Sequence, residues 1–162
     1  MKATPVTLCF LLRDDATGQQ VLLGMKKTGL GLGKIVGLGG HVEPGETYAE
    51  AACREVFEEA GVVVREEDLR AVGLIEFVFP ARPEWNMSTR LFTTRHWTGD
   101  PVESQEIIPE WFQVTCLPLE RMWQDAEHWL PLALGEGAVE AVITLNADNE
   151  TVASAEYSLR GV

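Results

Sequence analysis

Apolar residues fall along this chain in short blocks separated by charged or glycine-rich breaks. Thr4 to Leu12 and Gln20 to Lys26 are two such blocks. The turn-forming residues Asp14-Asp15-Ala16-Thr17-Gly18 lie between them, so they predict a pair of strands. Arg70 to Phe79, Ser88 to Trp97, Trp111 to Val114, Ala138 to Leu145 and Val152 to Leu159 predict further strands, the last two flanking the turn Asn146-Ala147-Asp148-Asn149. One stretch has a different period. Between Glu46 and Ala60, residues Ala49, Ala52, Cys53, Val56 and Ala60 recur at helical spacing, and their small side chains suit close packing on a sheet. Thr47-Tyr48-Ala49-Glu50 is a capping-box pattern, and Gly61 stands where a left-handed residue would end the helix. Ala126 to Leu134 predicts a second, shorter helix with Asp125 as N-cap, although Pro131 interrupts it. The elements lack regular βαβ alternation, so the expected class is α+β.

No repeat, linker or low-complexity tract divides the 162 residues, which predicts one domain over 1–162. Hydrophobic residues at 46% and charged residues at 23% fit a folded globular chain. The net charge of -12, from 13 Lys+Arg against 25 Asp+Glu, repels phosphate backbones and anionic lipid. No polymeric nucleic acid and no membrane is therefore expected as a partner. The run Val6 to Leu12 is too short to span a bilayer and is followed by Arg13-Asp14-Asp15, so it reads as a strand rather than a signal peptide. Cys9, Cys53 and Cys116 are widely spaced and odd in number, which favours a reduced, cytoplasmic setting over disulfides or zinc.

Charge becomes chemistry on the first helix. Glu55, Glu58 and Glu59 share one sector, at i, i+3 and i+4, opposite the apolar face. A solvated acidic face is the ordinary reading of such a triplet. The sharper one is an oxygen-donor cluster for Mg²⁺ or Mn²⁺. The surroundings favour the second. Gly37-Leu38-Gly39-Gly40 precedes the helix and lets backbone approach an ion, Glu43-Pro44-Gly45-Glu46 makes a tight turn, and Arg54 adjoins Glu55. Gly29-Leu30-Gly31-Leu32-Gly33, by contrast, matches neither dinucleotide-binding nor P-loop spacing.

The pattern Gly40-x5-Glu46-x7-Arg54-Glu55-Val56-x-Glu58-Glu59-x-Gly61-Val62 resembles the complete Nudix box, here spanning 40–62. The resemblance implies an α/β/α arrangement: a mixed sheet between helices, with a loop–helix–loop catalytic motif. It also implies hydrolysis of a nucleoside diphosphate linked to another group. Glu55, Glu58 and Glu59 would be ligands of Mg²⁺, with Mn²⁺ as substitute, and the Gly39 carbonyl a further one. Arg54 and Glu46 would brace the motif. Glu55 and Glu106 are both candidates for the general base.

Weaker segments extend the resemblance over most of the chain. Val21-Leu22-Leu23-Gly24-Met25-Lys26-Lys27, Gly99-x-Pro101-Val102-Glu103-Ser104-x-Glu106, Met122-Trp123-x-Asp125 and Trp129-x-Pro131-Leu132 are similar to the oxidised-purine nucleoside triphosphatases, the MutT-homologue sanitisers of the nucleotide pool. That similarity implies Glu106 as a ligand from outside the helix. It implies a base pocket of Thr7, Lys26, Phe77, Met87, Trp123 and Asp125. It also exposes two departures: Val36 stands where those relatives carry Asn, and Ala126 where they carry a second Asp. Position 36 is therefore a substrate-binding position without a side-chain reader.

The expected activity is hydrolysis of a purine nucleoside triphosphate, such as 8-oxo-dGTP or 2-oxo-dATP, to monophosphate and pyrophosphate. The expected partner is that small molecule, and a monomer is expected rather than an oligomer. A dinucleotide polyphosphate, a nucleotide sugar or capped RNA would keep the chemistry with another substrate, and a non-catalytic nucleotide sensor is the alternative of a different class. No G-x-S-x-G motif points to a serine hydrolase.

Overall fold

A computed structural model describes residues 3–160. In chain order the elements are β1 (Thr4–Asp15), β2 (Gly18–Lys26), β3 (Ile35–Val36), β4 (Leu38–His41), α1 (Tyr48–Ala60), β5 (Arg70–Val78), β6 (Met87–Thr94), β7 (Ile107–Gln113), α2 (Ala126–Ala133), β8 (Ala138–Leu145) and β9 (Val152–Arg160). The strands run β3-β2-β1-β6-β5-β8-β9, with β4 beside β1 and β7 beside β2. The pairs β1/β6 and β5/β8 are parallel and the others antiparallel, so the sheet is mixed.

β1 organises the curl. Its first half pairs with β4 on one side and β6 on the other, and its last residues, Leu12–Asp15, pair with β2. Alternate residues of β1 and β2 then feed two separate cores. Cys9, Leu11 and Leu22 pack with Leu38 and with Ala52, Val56 and Ala60 of α1. Phe10, Leu12, Val21 and Leu23 pack with Ala126, Trp129, Leu130 and Ala133 of α2. Burial on both faces explains why these strands read as apolar runs rather than as alternating ones. The expected sandwich of a mixed sheet between helices is what forms.

Several boundaries move. The expected helix start at Glu46 becomes Tyr48, because Gly45 at φ +84 closes the preceding turn and Thr47 caps the helix. Within α1 the buried small residues are Ala51, Ala52 and Ala60, whereas Ala49 and Cys53 are only half-buried. The strand expected at Trp111 to Val114 starts earlier, at Ile107, and pairs with β2 over Gln20–Lys26. The strand expected to reach Trp97 stops at Thr94. β3 and β4, two and four residues long, fall in the glycine-rich segment and carried no periodic signal.

Asp125 does not cap α2. It has helical backbone angles and makes no cap hydrogen bond; its Oδ2 instead accepts from Trp129 Nε1 at 2.8 Å. Pro131 is tolerated in α2, forgoing one hydrogen bond to the carbonyl of exposed Glu127. Among the described residues no helix is long and apolar enough to cross a membrane.

Candidate metal and nucleotide site

The loop–helix–loop around α1 is fixed by its own side chains. Thr47 Oγ1 accepts from the Glu50 N–H at 3.0 Å and Glu50 Oε1 accepts from the Thr47 N–H at 2.8 Å, completing the capping box. Gly61, at φ +73, donates its N–H to the Phe57 carbonyl and ends the helix. Arg54 grips Glu46 with two hydrogen bonds, Nε to Oε2 at 2.7 Å and Nη2 to Oε1 at 3.0 Å, and also donates from Nη2 to the His41 carbonyl. Those bonds tie the loop before the helix onto its middle turn. The Arg54 guanidinium, with the Glu43 N–H, holds the Glu46 carboxyl down at about 2.

Glu59 is the deepest of the acidic triplet. The sequence placed it on the face away from the core, yet it is 7% exposed. The reason lies opposite it: β4 presents the Gly39 N–H to Glu59, and the missing side chain of Gly40 leaves room for Glu55 beside it. Glu59 Oε1 accepts from the Gly39 N–H at 2.8 Å. A Cβ on Gly40 would stand 2.6 Å from Glu55 Oε1. Burial pushes the Glu59 carboxyl up to about 8, with Glu55 and Glu106 adding repulsion and the Gly39 N–H opposing. Burial also raises Glu55, against the pull of Arg54.

Arg54 Nη1 contacts Glu55 at 3.0 Å and Glu58 at 3.3 Å. Glu58 is half exposed and Glu106 lies on the turn before β7, where the Glu106 carbonyl accepts from the Lys27 N–H at 2.9 Å. Among the described residues, no three His, Cys, Asp or Glu side chains stand as a closed cage. The donor set nevertheless suits a hard cation. It is made of oxygen alone, and the proton affinities of Glu55 and Glu59 are raised by burial and then by neighbouring carboxylates, which is what added positive charge relieves.

The narrow fit at Gly39 gives a direct prediction. A Cβ there would fall inside the van der Waals contact of the Thr7 carbonyl oxygen on β1, a backbone atom that cannot swing away. Gly39→Ala should therefore destabilise the chain by about 3 kcal/mol or more, read as a fall in urea midpoint. An unchanged midpoint would mean that β4 does not pack on β1 at this register.

From the carboxylates a cleft of about 1000 Å³ opens over the sheet. Gly39, Glu55, Glu59 and Glu106 line one end. Lys26, Val36, Phe77, Met87, Trp123, Asp125 and Ala126 line the rest, so the structure gathers residues from five elements and the loops between them. Three expected site residues lie outside it. Glu58 and Arg54 stand on the outer side of α1, and Thr7 points to the opposite face of β1 from Val6 and Leu8, which do line the cleft. Thr7 is fully buried there and its Oγ1 has no partner.

The sequence missed Phe79 and Trp85, which pack edge to face at 5.9 Å on the rim, and Thr89 on the floor. Trp85 sits in a short 3₁₀ turn, Pro83–Trp85, and a tryptophan two residues after a proline in a loop was the available signal. Nothing in the pattern marked Thr89. At the far end, Trp123 is half-buried with Lys34 Nζ 4.8 Å from its ring, and burial pushes the Asp125 carboxyl above the usual range while the Trp129 N–H opposes. Trp129 is 4% exposed and packs on Phe10, as expected of a core residue.

The NUDIX domain profile matches residues 2–133. A mouse (Mus musculus) oxidized purine nucleoside triphosphate hydrolase is 42% identical over 144 residues, covering 89% of this chain and 88% of the mouse protein. A zebrafish (Danio rerio) protein of the same description is 44% identical over 115 residues, covering 71% of this chain and 72% of its own. Among solved structures, a crystal structure of a mutator MutT protein from Bacillus halodurans superposes with a TM-score of 0.75 at 24% identity, covering 96% of this chain and 97% of that one. At that identity the likeness concerns the fold.

Proposed function

The chain belongs to the NUDIX domain family, and we infer that it hydrolyses purine nucleoside triphosphates, oxidised ones foremost, to the monophosphate and pyrophosphate. The observation that carries this reading is the meeting, in one cleft, of the carboxylates Glu55, Glu59 and Glu106 with Trp123, Phe77, Met87 and Asp125. The mouse and zebrafish relatives, described as oxidized purine nucleoside triphosphate hydrolases, support the substrate class.

Family members use divalent cations, and here Glu55, Glu58, Glu59 and Glu106, with the Gly39 carbonyl, would hold Mg²⁺ or in its place Mn²⁺. Such an ion, when bound, neutralises phosphate charge and lowers the pKa of coordinated water. Around it the chain's own groups divide the work. Arg54 keeps Glu55 oriented from the outside while anchoring the loop through Glu46. Lys26 lines the cleft, and its charge partly offsets the rise at Glu59. Glu55 and Glu106 are the two carboxylates available to take the proton of the attacking water. Trp123 offers a stacking face to any purine, while Asp125, whose carboxyl burial pushes above its ordinary range, offers the base edge an acceptor, or a donor when protonated. The free thiols of Cys9, Cys53 and Cys116 support a reduced, cytoplasmic setting, where a monomer would meet free nucleotides.

The test is a steady-state screen of 8-oxo-dGTP, 2-oxo-dATP, dGTP and dATP beside a dinucleotide polyphosphate, a nucleotide sugar and a capped RNA, with and without Mg²⁺. Mg²⁺-dependent turnover led by the purine triphosphates is expected. Faster turnover of another class would reassign the substrate, and binding without turnover of any compound would make the protein a nucleotide sensor.

A further inference from the structure

The cleft lacks side-chain polarity at the two places where Val36 and Ala126 line it. It carries an unclaimed polar group elsewhere. Thr89 lies in β6, between Val6 of β1 and Ile75 of β5. It shares a face of the strand with Met87, which lines the cleft, and with Leu91, which is fully buried beneath it. Thr89 is 1% exposed, it lines the same cleft, and its Oγ1 has no hydrogen-bond partner in the protein. The neighbouring hydroxyl, on Ser88, is already engaged, donating to Glu76 Oε1 at 2.8 Å on the other face.

An orphaned hydroxyl in an apolar floor is unfavourable, and valine would fill the same volume without one. Building on the purine reading above, we propose that Thr89 Oγ1 hydrogen-bonds the base in the cleft and helps to set which purine is preferred. A hydroxyl both donates and accepts, so it can meet a ring N–H or a carbonyl at a purine edge. Together with Asp125 it gives the pocket two side-chain readers from different elements, β6 and the start of α2, where Val36 and Ala126 supply none.

The experiment compares the natural protein with Thr89→Val and Thr89→Ser. It measures kcat/KM for 8-oxo-dGTP, 2-oxo-dATP, dGTP and dATP, and the Tm of each ligand-free protein. Thr89→Val should leave the Tm equal or higher, because the unpaired group is gone. It should lower kcat/KM for the preferred triphosphate about tenfold, with a smaller loss for the poorest, so that the ratio between them narrows. Thr89→Ser should restore that ratio. Identical ratios in all three proteins would overturn the proposal. So would an equal loss on all four substrates accompanied by a lower Tm, which is the mark of a packing role. If the natural protein turns over none of the four, the purine reading itself fails and this proposal with it. If it turns them over and only the Thr89 variants behave alike, that reading stands alone.

Discussion

Glu59→Gln should lower kcat in saturating Mg²⁺ by about 10²- to 10³-fold, because a neutral amide cannot balance the cation that the phosphates require. The amide keeps an oxygen to accept from the Gly39 N–H, so the loss reflects charge rather than a displaced β4. Glu58→Gln, on the more exposed carboxylate shared with Arg54, should lose roughly 10²-fold as well. Near-normal turnover of both variants would remove α1 from the metal site.

The same carboxyl makes a pH prediction for the metal-free protein. Glu59 holds its proton in the folded state up to about pH 8, whereas its ordinary value is 4.5. The folded protein therefore binds more protons than the unfolded chain between those values, so this contribution is fully present below about pH 4.5 and is lost as pH rises through about 8. Each pH unit inside the window costs up to about 1.4 kcal/mol, less where other groups titrate with it. Urea midpoints measured in EDTA at pH 5, 6.5 and 8 should fall in that order. Glu59→Gln should flatten the trend, and so should Mg²⁺, which binds the ionised form. A midpoint that rises with pH in EDTA would contradict a protonated Glu59.

Asp125→Ala should lower kcat/KM by roughly 10²-fold for every good purine triphosphate, equivalent to about 2.7 kcal/mol of transition-state binding. The size follows from the pocket: neither Val36 nor Ala126 can share the recognition. The variant also leaves the buried Trp129 N–H unpaired, a stability cost of about 1–3 kcal/mol. Asp125→Asn separates the two effects, since its side-chain oxygen can still accept from Trp129 while its amino group still offers the base edge a polar partner. It should keep the Tm and most of the activity. A natural preference above about 10⁴ for one oxidised base, or an Asp125→Ala variant with unchanged kcat/KM, would show that groups other than Asp125 and Thr89 read the base.

How much of this was legible depended on the length scale of the signal. The boxed segment 40–62 is local. Its caps, its Arg54–Glu46 brace and its acidic triplet follow from spacing along one helix and one turn, and the structure places Thr47, Glu50 and Gly61 in those capping roles. The depth of Glu59 was not local. It depends on β4 passing β1 with the Gly39 N–H and the bare Gly40 turned to the helix, a packing that periodicity along α1 does not encode. β3 and β4 are too short to show a period, so the register that pairs Gly39 with Leu8, against the Thr7 carbonyl, was invisible. Asp125 shows one local contact losing to another: its position before α2 reads as an N-cap, but the indole N–H of Trp129, one turn along the same helix, claims the carboxylate. Thr7 and Thr89 differ by the face of the sheet they occupy. One hydroxyl points away from the cleft and the other into it, which only the pairing of β1 with β6 reveals.

Glu55, Glu58, Glu59 and Glu106 would hold the cation at one end of the cleft and the base would be anchored at the other, so that water attacks the phosphate chain between them. Hydrolysis of the preferred triphosphate in ¹⁸O-water, with mass analysis of the products, tests this arrangement most directly. Attack at the β-phosphorus forms its bond to the labelled oxygen and breaks the bond to the α-phosphate oxygen. Unlabelled monophosphate and singly labelled pyrophosphate are the result predicted. Label in inorganic phosphate, with the nucleoside diphosphate as co-product, would place the attack at the γ-phosphorus and contradict the account.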